Sequence, residues 1–172
     1  MACEIQAGRL EPCKTVGGLK AVYFAPFDSD NVPTLNTGTF TGFSSGSAQF
    51  FKWELRGANT MDETNESSRE NGTSFYTGAG TFQFKKIDAK AIAELEKLSK
   101  GTHYVMTEGY DGTMRIYGLE DGCEISASTA SGSAMGDFSG FNVTVASLAT
   151  YPAPIADGVL TNITYSSTFL NV

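Results

Sequence analysis

The chain has 172 residues, 41% hydrophobic and 18% charged, which is enough for one substantial core and short for two, so a single domain over residues 1–172 is expected. Its 19 glycines and 12 phenylalanines, with many Ser and Thr residues, point to a mainly β fold with many turns. A net charge of −7 argues against a basic surface that grips nucleic-acid phosphates. No apolar run approaches the roughly 20 residues that span a bilayer, and MACEIQAGRL has an early acid and no apolar segment, so neither a membrane partner nor secretion is expected. Cys3, Cys13 and Cys123 show no C-x-x-C spacing and fit reduced thiols made in a cytosol; a Cys3–Cys13 bridge is the alternative.

Met1–Gly18 reads as an arm, interrupted by Pro12 and Gly17-Gly18, and its Ile5, Leu10 and Val16 follow no period. Leu19–Phe27 is the first predicted strand, with Val22 and Phe24 opposite Ala21, Tyr23 and Ala25, and Pro26 ends its ladder for want of an N–H. After a turn-rich Asp28–Pro33, the weakly alternating Thr34–Phe43 is expected as a short edge strand, and Ser44–Ser47 connects onward. Ala48–Leu55 (AQFFKWEL) alternates strongly: Phe51, Trp53 and Leu55 form an apolar face, and Phe50, Lys52 and Glu54 a mixed one. Gly57–Thr73 (GANTMDETNESSRENGT) holds one large apolar residue, Met61. It is expected as a long polar loop joining Ala48–Leu55 to Ser74–Phe84 in a hairpin. Structureless connections of that length are uncommon unless they have work to do, so Met61, Asp62, Glu63, Arg69, Glu70 and Asn71 are candidate assembly contacts, ordered only beside a partner. Gly78 and Gly80 mark a bend or a close backbone approach.

One helix is expected at Ala89–Lys100 (AKAIAELEKLSK), with Asp88 accepting from its first N–H groups and Gly101 as a left-handed cap. Ile92, Leu95 and Leu98, helped by Ala91, form the stripe that packs on the sheet. His103–Thr107 and Thr113–Gly118 then pair across Asp111-Gly112, and Leu119–Gly122 turns again at Asp121-Gly122. Cys123–Thr129 alternates, Ala130–Gly136 is a small-residue loop, and Phe138–Ala149 places Phe141, Val143 and Val145 on one side. Beyond Tyr151–Pro154, Ile155–Val172 reads as a tail with a weak strand at Leu160–Tyr165.

The chemical inventory is sparse. His103 is the single histidine, so a two-histidine metal site is excluded, and its place after a helix is more often structural. The sequence has no G-x-S-x-G elbow and no P-loop, and Gly78-Ala79-Gly80 lacks the context of a dinucleotide site. The acids at Asp62, Glu63, Glu66 and Glu70 miss the spacing and turn glycine of a calcium loop. No catalytic residue, metal or cofactor is therefore expected.

The run GANTMDETNESSRENGTSFYTGAGTFQFKKIDAKAIAELEKLSKG, with YGLEDGCEISASTASGSAMGDFSGFNVTVASLATYPAP further on, resembles a family of tail-tube-like virion proteins from tailed phages of Bacteroidota, crAss-like phages among them. EPCKTVGGLKAVYFAPF is similar to the opening of the same proteins. The likeness spans roughly Glu11 to Pro154 and is most specific at Arg69-Glu70-Asn71-Gly72-Thr73 and Ala134–Gly140; Met1–Leu10 and Ile155–Val172 lie outside it. It implies a β-sandwich or rolled barrel of tail-tube type with one flanking helix. It also implies assembly of the chain with itself into rings, usually hexameric, whose inner sheets join edge to edge around a channel. Neighbouring tail proteins are then its partners, passing DNA a transient and non-specific contact, and its location the virion tail after synthesis in the host bacterial cytoplasm. A conduit must let a polyanion slide, so lumen acids are expected, with Glu54 and Glu124 as candidates. The rival readings are a carbohydrate-binding or adhesion module, which needs Trp53 and tyrosines exposed together, and a capsid decoration protein.

Overall fold

Between Ala21 and Ala25 both sides of the first strand are apolar, and a strand with two apolar sides needs a core on each. The computed structural model, which describes residues 7–10 and 13–166, provides both. Its elements in chain order are Leu19–Pro26 (β1), Val32–Asn36 (β2), Thr39–Ser45 (β3), Ala48–Glu54 (β4), Thr60–Ser68 (β5), Thr73–Lys85 (β6) and the helix Ala89–Lys100 (α1). Then follow Thr102–Gly109 (β7), Met114–Tyr117 (β8), Cys123–Ala130 (β9), Gly140–Ala149 (β10), Ile155–Thr161 (β11) and Ile163–Ser166 (β12). The protein is mainly β with one flanking helix.

The ladders β4–β1–β7–β8–β11 are antiparallel, and β12, which continues β11 past Asn162, pairs parallel with β4, so this path returns on itself as a rolled barrel. β3 runs parallel to β11, and Gly42 permits it: with φ 124 and the Thr161 backbone against its α-carbon, it has no room for a side chain. Inside the barrel lie Ala21, Tyr23 and Ala25 with Phe40, Phe43, Phe50, Tyr104, Met106 and Ile116. The rings interlock at centroid distances of 5.3 Å for Phe40–Phe43 and 5.4 Å for Phe43–Tyr104, and the Tyr104 hydroxyl donates to Asp28 O at 2.9 Å.

The second core lies on the outer side of β1. There Val22, Phe24, Trp53, Leu55 and Val105 meet the antiparallel sheet β9-β10-β6-β5 and the helix. β7 joins the two layers: its second edge pairs with β8 through Val105–Glu108 and with β9 through Thr102 and His103. Phe82, Phe84, Phe141, Val143 and Val145 line the inner face of the outer sheet. Gly78 and Gly80 do mark a close approach: a side chain at Gly80 would collide with Met61 of β5, and one at Gly78 with the Ser147 hydroxyl of β10.

Several expectations are corrected. Gly57–Thr73 is mostly ordered strand: β5 pairs with β6 from Thr60↔Thr81 to Ser68↔Thr73, leaving only Arg69-Glu70-Asn71-Gly72 as the turn. Ala48–Leu55 and Ser74–Phe84 are not hairpin partners, since β4 pairs with β1 and β12, whereas β6 pairs with β5 and β10. Phe51, placed on the apolar face, is 39% exposed, and Phe50 of the mixed face is fully buried because that face looks into the barrel. Thr34–Phe43 is two strands, β2 and β3, reversing at Thr37 and Gly38, both with positive φ. Ile155–Thr161 is barrel wall instead of tail. Asp88 caps α1 as expected, accepting from Lys90 N at 3.2 Å and Ala91 N at 3.4 Å. Gly101, at φ −126, is extended instead of left-handed, because the chain passes straight into β7. Leu95 and Leu98 are buried, but Ile92 is 48% exposed and does not pack with them. Cys3, Ile5, Pro12 and residues 167–172 lie outside the described residues.

Candidate assembly surface

The outer sheet has one face in the core and one in solvent. Across the solvent face the registers align Ser126, Thr144, Thr81 and Thr60 in one row, and Glu124, Ala146, Ala79 and Asp62 in the next. Short hydroxyl and methyl side chains dominate, and the Ser126 and Thr144 hydroxyls share a 2.6 Å hydrogen bond. Glu124, Asp62 and Glu66 are the acids of this face, with Lys85 at the far end of β6. Glu54 lies elsewhere. It sits at the end of β4 in register with Ala21, which pairs onward with Glu108; Glu124 pairs with Thr102 at the other end of β7, about 20 Å away at roughly 3.3 Å per residue. Hence the two candidate lumen acids are not brought together, and Glu124 alone belongs to the broad sheet face.

Two strand edges of the outer sheet are open. β5 has nine residues in unbroken register with β6 and no partner on its other side among the described residues. β9 pairs with β7 only through Cys123 and Glu124, which leaves Ile125–Ala130 without a ladder on that side. The exposed edge of β2 is different: it contains Pro33 and two register shifts, devices that stop another strand from adding. Beside the open part of β9 runs a groove of about 310 Å³ lined by Ile92, Leu95, Ala127, Thr129 and Phe141. That groove explains the exposure of Ile92, which points at a gap along the sheet edge.

The predicted contacts divide. Met61 is a core residue under β6. Glu63 serves the fold: it accepts from Arg115 at 2.6 Å and from Ala153 N at 2.7 Å, tying β5 to β8 and to the connection before β11. Asp62, Arg69, Glu70 and Asn71 are exposed, the last three on the hairpin turn, where Asn71 N donates to the Ser68 hydroxyl at 3.3 Å. β10 stops pairing with β6 at Tyr76, so the hairpin from about Asn65 to Phe75 projects beyond the sheet. Sequence reasoning missed the β5 edge. The available signal was the alternation of Thr60, Asp62, Thr64 and Glu66 against Met61 and Glu63.

His103 is buried where α1 meets β7, its Nδ1 without a partner; burial holds its pKa below the ordinary value, partly offset by the Gly101 carbonyl. Burial likewise pushes the Cys123 thiol up to about 12, which removes it as a nucleophile at neutral pH. Trp53 packs at 4.9 Å from Phe84 and 6.2 Å from Phe24, so the sheet offers no sugar-stacking platform at this residue. Among the described residues no group of three or more His, Cys, Asp or Glu is placed to hold a metal ion, and no helix is long and apolar enough to cross a membrane. In comparisons with known proteins, no family model, no curated protein and no solved structure matches this chain.

Proposed function

We propose that the protein is a virion structural subunit that assembles with itself into rings forming part of a phage tail tube or tail channel for DNA passage. The observation that carries the reading is the pair of unprotected edges on one four-stranded sheet. In that sheet β9 and β5 run in opposite directions, because an even number of antiparallel strands separates alternating ends. When β5 of one copy adds to the open side of β9 in the next, the junction is itself antiparallel, and rotation about a common axis closes the ring with no edge left over. A strand seated there lies along the groove that exposes Ile92 and covers it. Hexameric closure, the usual number in the family the sequence resembles, is part of the proposal.

The solvent face of the joined sheets becomes the lining. Its serines, threonines and alanines present few cations, so passing DNA meets Glu124 and Asp62 and is not held by phosphate contacts. Negative-stain images of the purified protein test the assembly: rings are expected, and Ile92→Asp is expected to abolish them while leaving the melting temperature within a few degrees of the parent. Wild-type protein that stays monomeric at every concentration overturns the reading.

A further inference from the structure

We propose that copies of this chain also stack head to tail, the Met135 loop of one copy seating in the groove between Phe75 and Leu148 of the next. The setting is the ring reading above; the contact itself goes beyond it. The two features lie at opposite ends of the outer sheet. Gly140, which ends the Met135 loop, and Ala149, beside the groove, are nine steps apart along β10, about 30 Å at roughly 3.3 Å per residue, so a loop cannot reach its own groove.

The loop is built to hold an apolar tip in water. Asp137 accepts from Ser133 N at 2.9 Å, the Ser133 hydroxyl at 2.8 Å and Ala134 N at 2.8 Å, and its own N–H donates to Ala134 O at 3.1 Å. Those backbone and hydroxyl bonds hold the Asp137 carboxyl below its usual range. Met135, at the tip of this fixed turn, is fully exposed. A thioether on a flexible stem adapts to a shallow apolar site. At the other end Phe75 and Leu148, the latter 58% exposed, share a groove of about 340 Å³ with Ala149 and Thr150.

Charge selects the orientation. Glu120, held by Thr150 N at 2.6 Å and the Thr150 hydroxyl at 2.5 Å, and Asp121 rim the groove. Lys85, paired with Gly140, and Lys86, whose N–H donates to Ser139 O at 2.9 Å, flank the base of the loop, and neither makes an ion pair among the described residues. The acidic rim and the lysines attract each other, whereas loop against loop or groove against groove opposes like charges. A knob and a groove on opposite ends make a heterologous contact that repeats without closing on itself.

Disulfide trapping tests it. With Cys3→Ser and Cys13→Ser removing two native thiols and Cys123 left buried, Met135→Cys with Leu148→Cys in one chain is expected to give a ladder of linked chains under mild oxidation. A mixture of the two single variants should give the heterodimer in preference to either homodimer. Linkage of Met135→Cys chains chiefly to one another overturns the orientation. Rings in negative stain without any ladder overturn this contact and spare the ring reading, and neither rings nor ladder overturns both. Leu148→Asp, an exposed change expected to leave melting unaltered, should leave rings and remove stacks.

Discussion

Among the described residues the barrel strands β4, β1, β7, β8 and β11 are paired on both sides, with β12 adding to β4; in the outer sheet β5 has β6 alone, and most of β9 has only β10. The two layers share β1, and each has a buried hydrophobic core, so the difference is not the presence of a core. It lies in the backbone. The barrel wall closes within one chain, while the outer sheet keeps two rows of donors and acceptors without a strand partner among the described residues, open to water or to another chain. Stability is therefore expected to be local to the subunit, and assembly to act on the outer sheet.

The largest effect expected is on the closed layer. Phe50→Ala removes a fully buried ring against Tyr104 and should cost about 3–5 kcal/mol in chemical denaturation; a loss under about 1 kcal/mol would mean that the barrel interior is not the stabilising core. Leu95→Ala in the second core should cost about 2–5 kcal/mol, and a value near zero would show that the helix is held by a neighbour and not by its own sheet.

Smaller, and confined to the joint between layers, is a pH effect at His103. Its folded pKa lies below the ordinary 6.5, so as pH falls through that value the unfolded chain takes up a proton that the folded chain resists. The His103 contribution is therefore intact above 6.5 and is lost as pH falls toward the folded pKa. His103→Gln should flatten that part of the stability profile, and an unchanged slope would exclude the residue as its source. The smallest stability effect belongs to Ile92→Ala, within about 0.5 kcal/mol for the monomer, as for ordinary surface substitutions. Its readout is the ring, which should be weakened in sedimentation at unchanged melting.

The sequence made the locally determined elements legible. α1 followed from its apolar spacing and Asp88, the β7–β8 reversal from Asp111-Gly112, and the doubly buried β1 from its uninterrupted apolar residues. β5 was hidden because an edge strand needs little burial: Met61 alone reaches the core, so its threonines, acids and asparagine read as a solvated loop. Closure by β11 and β12 was hidden for another reason. Pairings such as Thr39↔Ile155 and Ala48↔Ile163 join segments with no shared pattern, and only the fold brings them together. In the candidate surface the exposure of Asp62, Arg69, Glu70 and Asn71 follows from the polarity of Gly57–Thr73, while the bonds of Glu63 to Arg115 and Ala153 were not legible because those partners are distant in sequence.

The parallel seam between β3–β4 and β11–β12 also sets a timetable for synthesis. Thr161 bonds back to Thr41, 120 positions earlier, and Asn162 to Phe43. Until the ribosome has released that late stretch, the nascent chain carries Phe40, Phe43 and Phe50 on an open sheet with an unpaired side. At about 5–20 residues per second the interval lasts many seconds, during which the chain is most exposed to the wrong neighbours. A polypeptide arrested before Ile155 is expected to bind an apolar dye and be cut readily by protease, and its extension through Ser166 should end both behaviours together. The subunit would then enter assembly only once Ile155–Ser166 has been translated.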